Sequence, residues 1–446
     1  MFKYGVTTVT SIQAFTQEIS NCMASKRGAV FSLSTAIYRT SPRLSWKSCM
    51  YSAISLGCVA TPCYKYSIRT QHAKTLRSPI PPYHDSTKWR VGAPGPLSKR
   101  MLWTNGAATN IIDLSSIHPG ILAPSVFVFL VITLWFYKCC MMVLFQDKII
   151  YMPGVPPFSR GEKIADYERE CRPIRWREER IRSIDGTRIS LCVGKRDVDA
   201  EKLKSTVFAK RVVILYFQGN ASSLPPRLPG LSRVLKLVDP TIECTLIALS
   251  YRGYWTSRGR ASQRGIELDA AAALAWVQEQ HNQPDIDIIL WGQSIGAGVA
   301  TVLAARHLQN SDATAGSSTN IAGLILETPF VSIRDMLATM YPEKWLPYRY
   351  LYPFLWNHWD SETALRSIAT SQHGYNISVL MLPAAKDEVV PAEQAARLFH
   401  VARGLGLNIE RKDVPGALHT EVMAKPEGRK AVAHFINGVG SNVWEE

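Results

Sequence analysis

The sequence predicts an α/β domain: a mainly parallel central sheet with helices on both faces. Two observations carry this. Strand-length apolar runs recur through the C-terminal two thirds of the chain, and helical patterns separate them. "RVVILYF" (211–217), "CTLIALSY" (244–251), "DIDIIL" (285–290), "IAGLIL" (321–326) and "ISVLMLP" (377–383) are rich in β-branched and aromatic residues. Continuous runs of that kind suit strands buried on both faces. Strands alternating with helices favour parallel pairing through right-handed crossovers.

The helices follow from period. Ile266, Ala270, Ala273, Leu274 and Val277 share one helical face. "GAGVATVLAARHL" (296–308) makes a second helix, small-residue-rich and suited to close packing. Earlier, "REERIRSI" and "TRISLCV" flank Asp185-Gly186, a hairpin signal. Gln309–Asn320 is polar and reads as a surface loop. The α/β domain is placed at 147–446.

One short stretch within it carries chemistry. Gly292-Gln293-Ser294-Ile295-Gly296 closes a predicted strand and opens a predicted helix. A serine exposed on such a sharp turn needs small neighbours, because side chains at either glycine would strike the adjoining strand or helix. Small-residue packing at a turn is the alternative reading of Ser294. A serine hydroxyl is a weak nucleophile alone and needs a base, itself oriented by an acid. On a sheet of this type the order is serine, acid, histidine, each just past a strand. Asp387 lies in "LPAAKDEVVP" directly after a strand, with Glu388 as its nearest competitor. His419 lies in "VPGALHT", after a last predicted strand "NIERKDV" and before the final helix. His307 and His400 fall in helical patterns, His358 in an aromatic stretch, and His373 ahead of a strand.

A developing oxyanion needs N–H donors. The backbone N–H of Ile295 is the first candidate. The second comes from "LYFQGNASSL" (215–224): the N–H of Asn220, with Ala221 as the runner-up. Gly219 lets the backbone approach a substrate, and Gln218 and Gly219 are placed as substrate-contacting residues. Asn220-Ala221-Ser222 is also a glycosylation sequon, a use that burial beside a site would oppose.

The rest of the chain restricts the setting. Net charge is +15, but the first hundred residues hold about 14 Lys/Arg against Glu18 and Asp85, leaving the remainder nearly balanced. No zinc-finger spacing or basic helix supports nucleic-acid binding. Nine cysteines form neither a disulfide framework nor a metal spacing, so no metal and no cofactor are expected. Residues 1–115 show no sustained period and read as disordered. A mitochondrial transit segment and a true start at Met101 are the alternatives for that stretch.

"ILAPSVFVFLVITLWFYKCCMMVLF" (121–145) is charge-free from Ile121 to Tyr137. At 1.5 Å per residue that run extends about 26 Å, and Lys138 can snorkel to an interface. Trp135, Phe136 and Tyr137 suit an aromatic belt. A single-pass anchor is expected at 121–145, with a buried core helix as the alternative. Cys139-Cys140 are candidates for palmitoylation, against plain apolar packing. Lys138 and Lys148 follow the run, whereas 104–120 lack Lys and Arg, which favours a cytosolic C-terminal domain. Glycosylation at Asn376-Ile377-Ser378 would instead place it in a lumen.

Several motifs together resemble one family. "FQDKIIYMPGVPP", "YFQGNASS", "LSYRGYWTSRGRASQRGIELDA", "WGQSIGAGVA", "ETPF", "PAAKDEVVP" and "GALHT" are similar to the bud-emergence-type α/β hydrolases. These are membrane-anchored serine hydrolases in the serine-aminopeptidase-like superfamily. The resemblance covers about Leu122 to Asn437. It implies the α/β-hydrolase fold, with Ser294, Asp387 and His419 as the catalytic triad. The sequence departs from the family twice. Gln218 stands where a histidine is usual, and a glutamine there can still hydrogen-bond and steady the loop. Trp255 replaces a common glycine.

The aromatic-rich stretch between Phe330 and Ile368 falls where this fold inserts lids. A lid of about 330–368 and an anchor together suggest an apolar acyl substrate, a lipid ester or an acylated protein, hydrolysed through an acyl-enzyme. Small esters and peptides are the other substrate classes. Endoplasmic reticulum or plasma membrane is the expected setting. The alternative function is a membrane-tethered scaffold in polarity or trafficking with a silent hydrolase fold.

Overall fold

The computed structural model describes residues 118–197, 208, 210–281, 286–313 and 321–439. The expectations for residues 1–115 lie outside them. The described chain divides between two units, one ending at Lys138 and the other beginning at Cys139.

Helix α1 (Pro119–Leu144) has 26 residues with Pro124 in its first turns. Gly120–Leu144 has mean hydropathy 2.2 with none of its most apolar window buried. Phe127, Leu130, Leu134 and Phe136 all point outward. The 25 residues of Gly120–Leu144 extend about 38 Å, long and apolar enough to cross a bilayer. Helix α2 (Gln146–Tyr151) follows directly.

Eight strands form one sheet, in the order β1-β2-β4-β3-β5-β6-β7-β8. β1 (Ile174–Arg182) and β2 (Arg188–Arg196) make the hairpin predicted at Asp185-Gly186, and β2 pairs antiparallel with β4. β3 (Lys210–Phe217), β4 (Ile242–Ser250), β5 (Ile286–Gln293), β6 (Ile321–Glu327), β7 (Ser378–Leu382) and β8 (Ile409–Arg411) are parallel.

The core has two faces because strand side chains alternate. In β3, Val213, Leu215 and Phe217 enter one hydrophobic cluster, and Val212, Ile214 and Tyr216 the other. Helix α3 (Leu228–Leu235) covers the second face. Helices α4 (Gln263–Gln280) and α5 (Ile295–Ala313) cover the first. Helix α6 (Ile333–Met340) opens the β6–β7 segment, and α7 (Ser361–Thr370) and α8 (Ala392–Gly404) return to the first face. Helix α9 (Pro426–Gly438) closes the second. This is the α/β-hydrolase architecture, with antiparallel β1–β2 at one edge and parallel strands elsewhere.

Two boundaries differ from the sequence reading. Helix α5 runs through Gln309 to Ala313, into the stretch expected to be loop, because Leu308 still packs on the core and Ser311 Oγ donates to the His307 carbonyl. The rest of that stretch, 314–320, lies outside the described residues. The last strand is shorter than "NIERKDV". β8 covers three residues, and Val414 rejoins the sheet as an isolated bridge to Ala384.

Candidate active site

Ser294 is the single residue between β5 and α5. Its backbone is left-handed, at φ 53°, which a non-glycine residue adopts only under constraint. The constraint is visible on both sides. A Cβ on Gly292 would sit 2.0 Å from the Gly296 carbonyl oxygen, and one on Gly296 would sit 2.1 Å from that of Phe217. Both obstacles are backbone, so neither can swing away. The N–H of Ser294 donates to the Glu327 carbonyl at 2.8 Å, locking the turn to β6.

Three expected residues converge here from distant loops. His419 Nε2 lies 2.9 Å from Ser294 Oγ. His419 Nδ1 lies 2.8 and 3.0 Å from the two Asp387 carboxylate oxygens. With a proton on Nδ1, the ring donates to Asp387 and leaves the Nε2 lone pair facing the serine hydroxyl. His419 is 5% exposed, so this exchange is largely shielded from water. The other carboxylate candidate is also present but bound elsewhere: Glu388 accepts the backbone N–H of His419 at 3.0 Å.

The loops holding acid and histidine are stitched side by side. Ala385 N–H donates to the Val414 carbonyl at 3.1 Å, and Lys386 N–H to the Ala417 carbonyl at 2.9 Å. Asp387 Oδ1 also accepts the N–H groups of Val389 and Val390. The carboxylate is therefore held by its own turn as well as by the imidazole.

The loop after β3 reaches the same place. A Cβ on Gly219 would come within 3.6 Å of Ser294 Cβ, so this glycine allows the close approach expected of it. Ala221 N–H is taken by the Tyr151 carbonyl at 2.9 Å, and Ser222 N–H by Val155. Among the described residues no acceptor takes the N–H of Asn220 or of Ile295. These two N–H groups, one on the loop after β3 and one opening α5, are left without an acceptor among those residues, whereas that of Ala221, the sequence alternative, is taken.

Gln218 departs from its expectation. Its side chain is fully buried, and neither amide atom has a partner among the described residues. It does not steady the loop through its side chain. Other groups do: Tyr251 Oη donates to the Gln218 carbonyl at 2.9 Å, and Arg227 donates to the Gln293 side chain and, at 3.4 Å, to the Asn220 and Ala221 carbonyls. Trp255, the second departure from the family pattern, is buried at φ 39° and donates through Nε1 to the Glu162 carbonyl at 2.7 Å.

Glu327, the last residue of β6, is not among the residues expected at the site. It is fully buried beneath the elbow, accepting from Gln293 Nε2 at 2.9 Å and Trp291 Nε1 at 3.2 Å. Burial pushes its carboxyl up to about 7, against the opposing effect of those hydrogen bonds, Arg227 and His419. The available signal was an acid ending a wholly apolar run, "IAGLILE".

Residues 213–371 match the family described as the alpha/beta hydrolase fold. The chain is 32% identical over 197 residues to protein bem46 of Schizosaccharomyces pombe, covering 44% of this chain and 58% of that one. It is 26% identical over 289 residues to the alpha/beta hydrolase domain-containing protein WAV2 of Arabidopsis thaliana, covering 63% and 83%. To the lysophosphatidylserine lipase ABHD12 of Danio rerio it is 34% identical over 209 residues, covering 46% and 50%. The chain thus spans only about half the length of the first and third of these relatives. Among solved structures, an α/β hydrolase of Vibrio vulnificus aligns with TM-score 0.46 at 17% identity, covering 65% of this chain and 89% of that one. Motif order and sheet order are those of the alpha/beta hydrolase fold, and the chain is similar to the bud-emergence-type relatives bem46 and WAV2.

Proposed function

We propose that the chain is a membrane-anchored serine hydrolase that cleaves an apolar acyl ester or thioester. The observation that carries this reading is the His419 ring, with Nε2 2.9 Å from Ser294 Oγ and Nδ1 on the Asp387 carboxylate.

His419 Nε2 takes the serine proton as Oγ attacks the acyl carbonyl. Negative charge then grows on the carbonyl oxygen, and the N–H groups of Ile295 and Asn220 receive it. Asp387 holds the ring in the tautomer that keeps Nε2 basic and stabilises the imidazolium once formed. The imidazolium gives its proton to the leaving oxygen or sulfur, leaving an acyl-serine. A water deprotonated by the same nitrogen attacks that acyl group, and Ser294 is restored as the acid departs.

Support for a lipid-type substrate comes from two sources. The zebrafish relative is a lysophosphatidylserine lipase, and the β6–β7 segment is rich in aromatic residues. Helix α1 supplies a span of the right length for a single-pass anchor.

The test uses full-length chain in membranes with a fluorophosphonate probe and p-nitrophenyl butyrate. Unaltered chain should label and turn over; Ser294→Ala should do neither. Labelling that survives Ser294→Ala would overturn the nucleophile. No labelling and no turnover by unaltered chain would favour the silent scaffold.

A further inference from the structure

We propose that the aromatic face of residues 350–356, between β6 and β7, rests in the lipid headgroup zone of the bilayer that holds α1. The inference rests on the reading of α1 as a spanning helix. Its partner is the phospholipid interface itself.

The face is selectively exposed. Tyr350, Tyr352, Phe354 and Trp356 lie within seven residues of one another and are 52%, 42%, 59% and 49% exposed. Trp359, three residues further, is wholly buried and donates through Nε1 to Tyr151 Oη at 2.9 Å. The segment therefore buries an aromatic where the domain offers a place for it. Clustered exposed aromatics of this kind mark interaction surfaces.

Their chemistry suits the membrane interface, where Trp and Tyr concentrate and Arg and Lys reach outward to headgroups. Two cations accompany the rings: the Arg334 guanidinium stacks 4.4 Å from the Tyr352 ring centre, and that of Arg349 lies 5.9 Å from Tyr350.

Position decides between a lipid surface and an unspecified protein. Cys139–Leu144, the last residues of α1, belong to the same unit as the hydrolase domain. Gln146, two residues beyond the end of α1, donates to the Val143 carbonyl at 3.1 Å and to the Phe354 carbonyl at 3.0 Å. Its Oε1 accepts Trp356 N–H at 3.0 Å, and Asp147 accepts Trp356 Nε1 at 3.1 Å. The polypeptide that leaves the apolar helix is thus bonded directly to both Phe354 and Trp356. Two residues of helix rise about 3 Å. The headgroup zone on each side of the hydrocarbon core is about 5–7 Å deep. The apolar helix runs on past Lys138 to Leu144, and with the hydrocarbon edge taken at Leu144 the groups hydrogen-bonded to Gln146 fall within that zone.

The experiment reconstitutes the full chain into phosphatidylcholine vesicles, with plain acyl chains or acyl chains brominated near the headgroup. Retention through an alkaline carbonate wash comes first; release would overturn both the spanning reading and this inference. On retained protein, the emission lost in Trp356→Phe and the emission gained in Phe354→Trp are each read as differences. About twofold quenching by brominated lipid with protection from aqueous iodide is expected for groups at an interface. No lipid quenching with full iodide quenching in both differences would overturn the inference while leaving the span intact. Hydrolysis of p-nitrophenyl butyrate by the same preparation reports separately on the proposed activity.

Discussion

The carbonyl oxygen of Tyr151 accepts the N–H of Ala221 at 2.9 Å. Tyr151 lies just past the apolar helix, and Ala221 lies in the loop that faces Ser294. The Tyr151 side chain works in the other direction. Its hydroxyl donates to Asn357 Oδ1 at 2.8 Å and accepts from Trp359 Nε1. One residue thus joins the chain leaving α1, the loop after β3 and the β6–β7 segment. Tyr151→Phe keeps the carbonyl but strands the buried Trp359 N–H, at a cost of about 1–3 kcal/mol. A lower thermal midpoint with turnover per folded molecule within about threefold is expected, checked by calorimetry beside an ester assay.

Asp387 and Glu388 are adjacent in sequence and differ in what they hold. Asp387→Asn should lower kcat by about 10⁴, because an amide can favour the wrong imidazole tautomer. Glu388→Gln retains an oxygen for the His419 N–H and should cost less than about tenfold, since that contact positions the backbone and not the ring. Steady-state hydrolysis of p-nitrophenyl butyrate by both variants checks the assignment; equal losses would reopen the choice of acid.

Gly292→Ala and Gly296→Ala each drive a methyl into backbone atoms 2.0–2.1 Å away. No rotamer relieves such a clash, so each variant should lose more than about 3 kcal/mol or fail to accumulate folded. Gly161→Ala, where nothing lies within 4 Å of the added carbon, is the control and should behave as the parent. Yield of folded chain and its denaturant midpoint provide the readout.

Glu327 makes stability depend on pH in a defined direction. Its folded carboxyl is raised to about 7 by burial, whereas in the unfolded chain it ionises near its ordinary value of 4.5. Between those pH values the folded state holds a proton that the unfolded state has released, so this contribution falls as pH rises and levels off above about 7. The amplitude is on the order of 3 kcal/mol. Glu327→Gln mimics the protonated acid. Its stability relative to the parent should therefore rise between pH 5 and 8, in paired denaturant titrations; a flat difference would show that the carboxyl ionises in both states alike.

Much of the architecture is legible because it is written in local patterns. Strand-length apolar runs place β3 to β7, and a turn dipeptide places the hairpin. The two glycines around Ser294 mark a turn that only small residues allow, and Ser294, Asp387 and His419 follow in linear order at strand ends. Helix α1 is readable from its composition alone. The contacts that differentiate neighbours are not local. Tyr151 meets Asn357 across 206 positions of sequence, and His419 meets Ser294 across 125. Whether Asp387 or Glu388 reaches the ring depends on how two loops are stitched together. Whether Asn220 or Ala221 keeps a spare N–H depends on where the Tyr151 carbonyl falls. Burial likewise left the Gln218 amide bare and raised Glu327, and burial is a property of the assembled layers. Composition and spacing determined which side chains could do chemistry; hydrogen-bond distances of about 3 Å decided which of them are in place to do it.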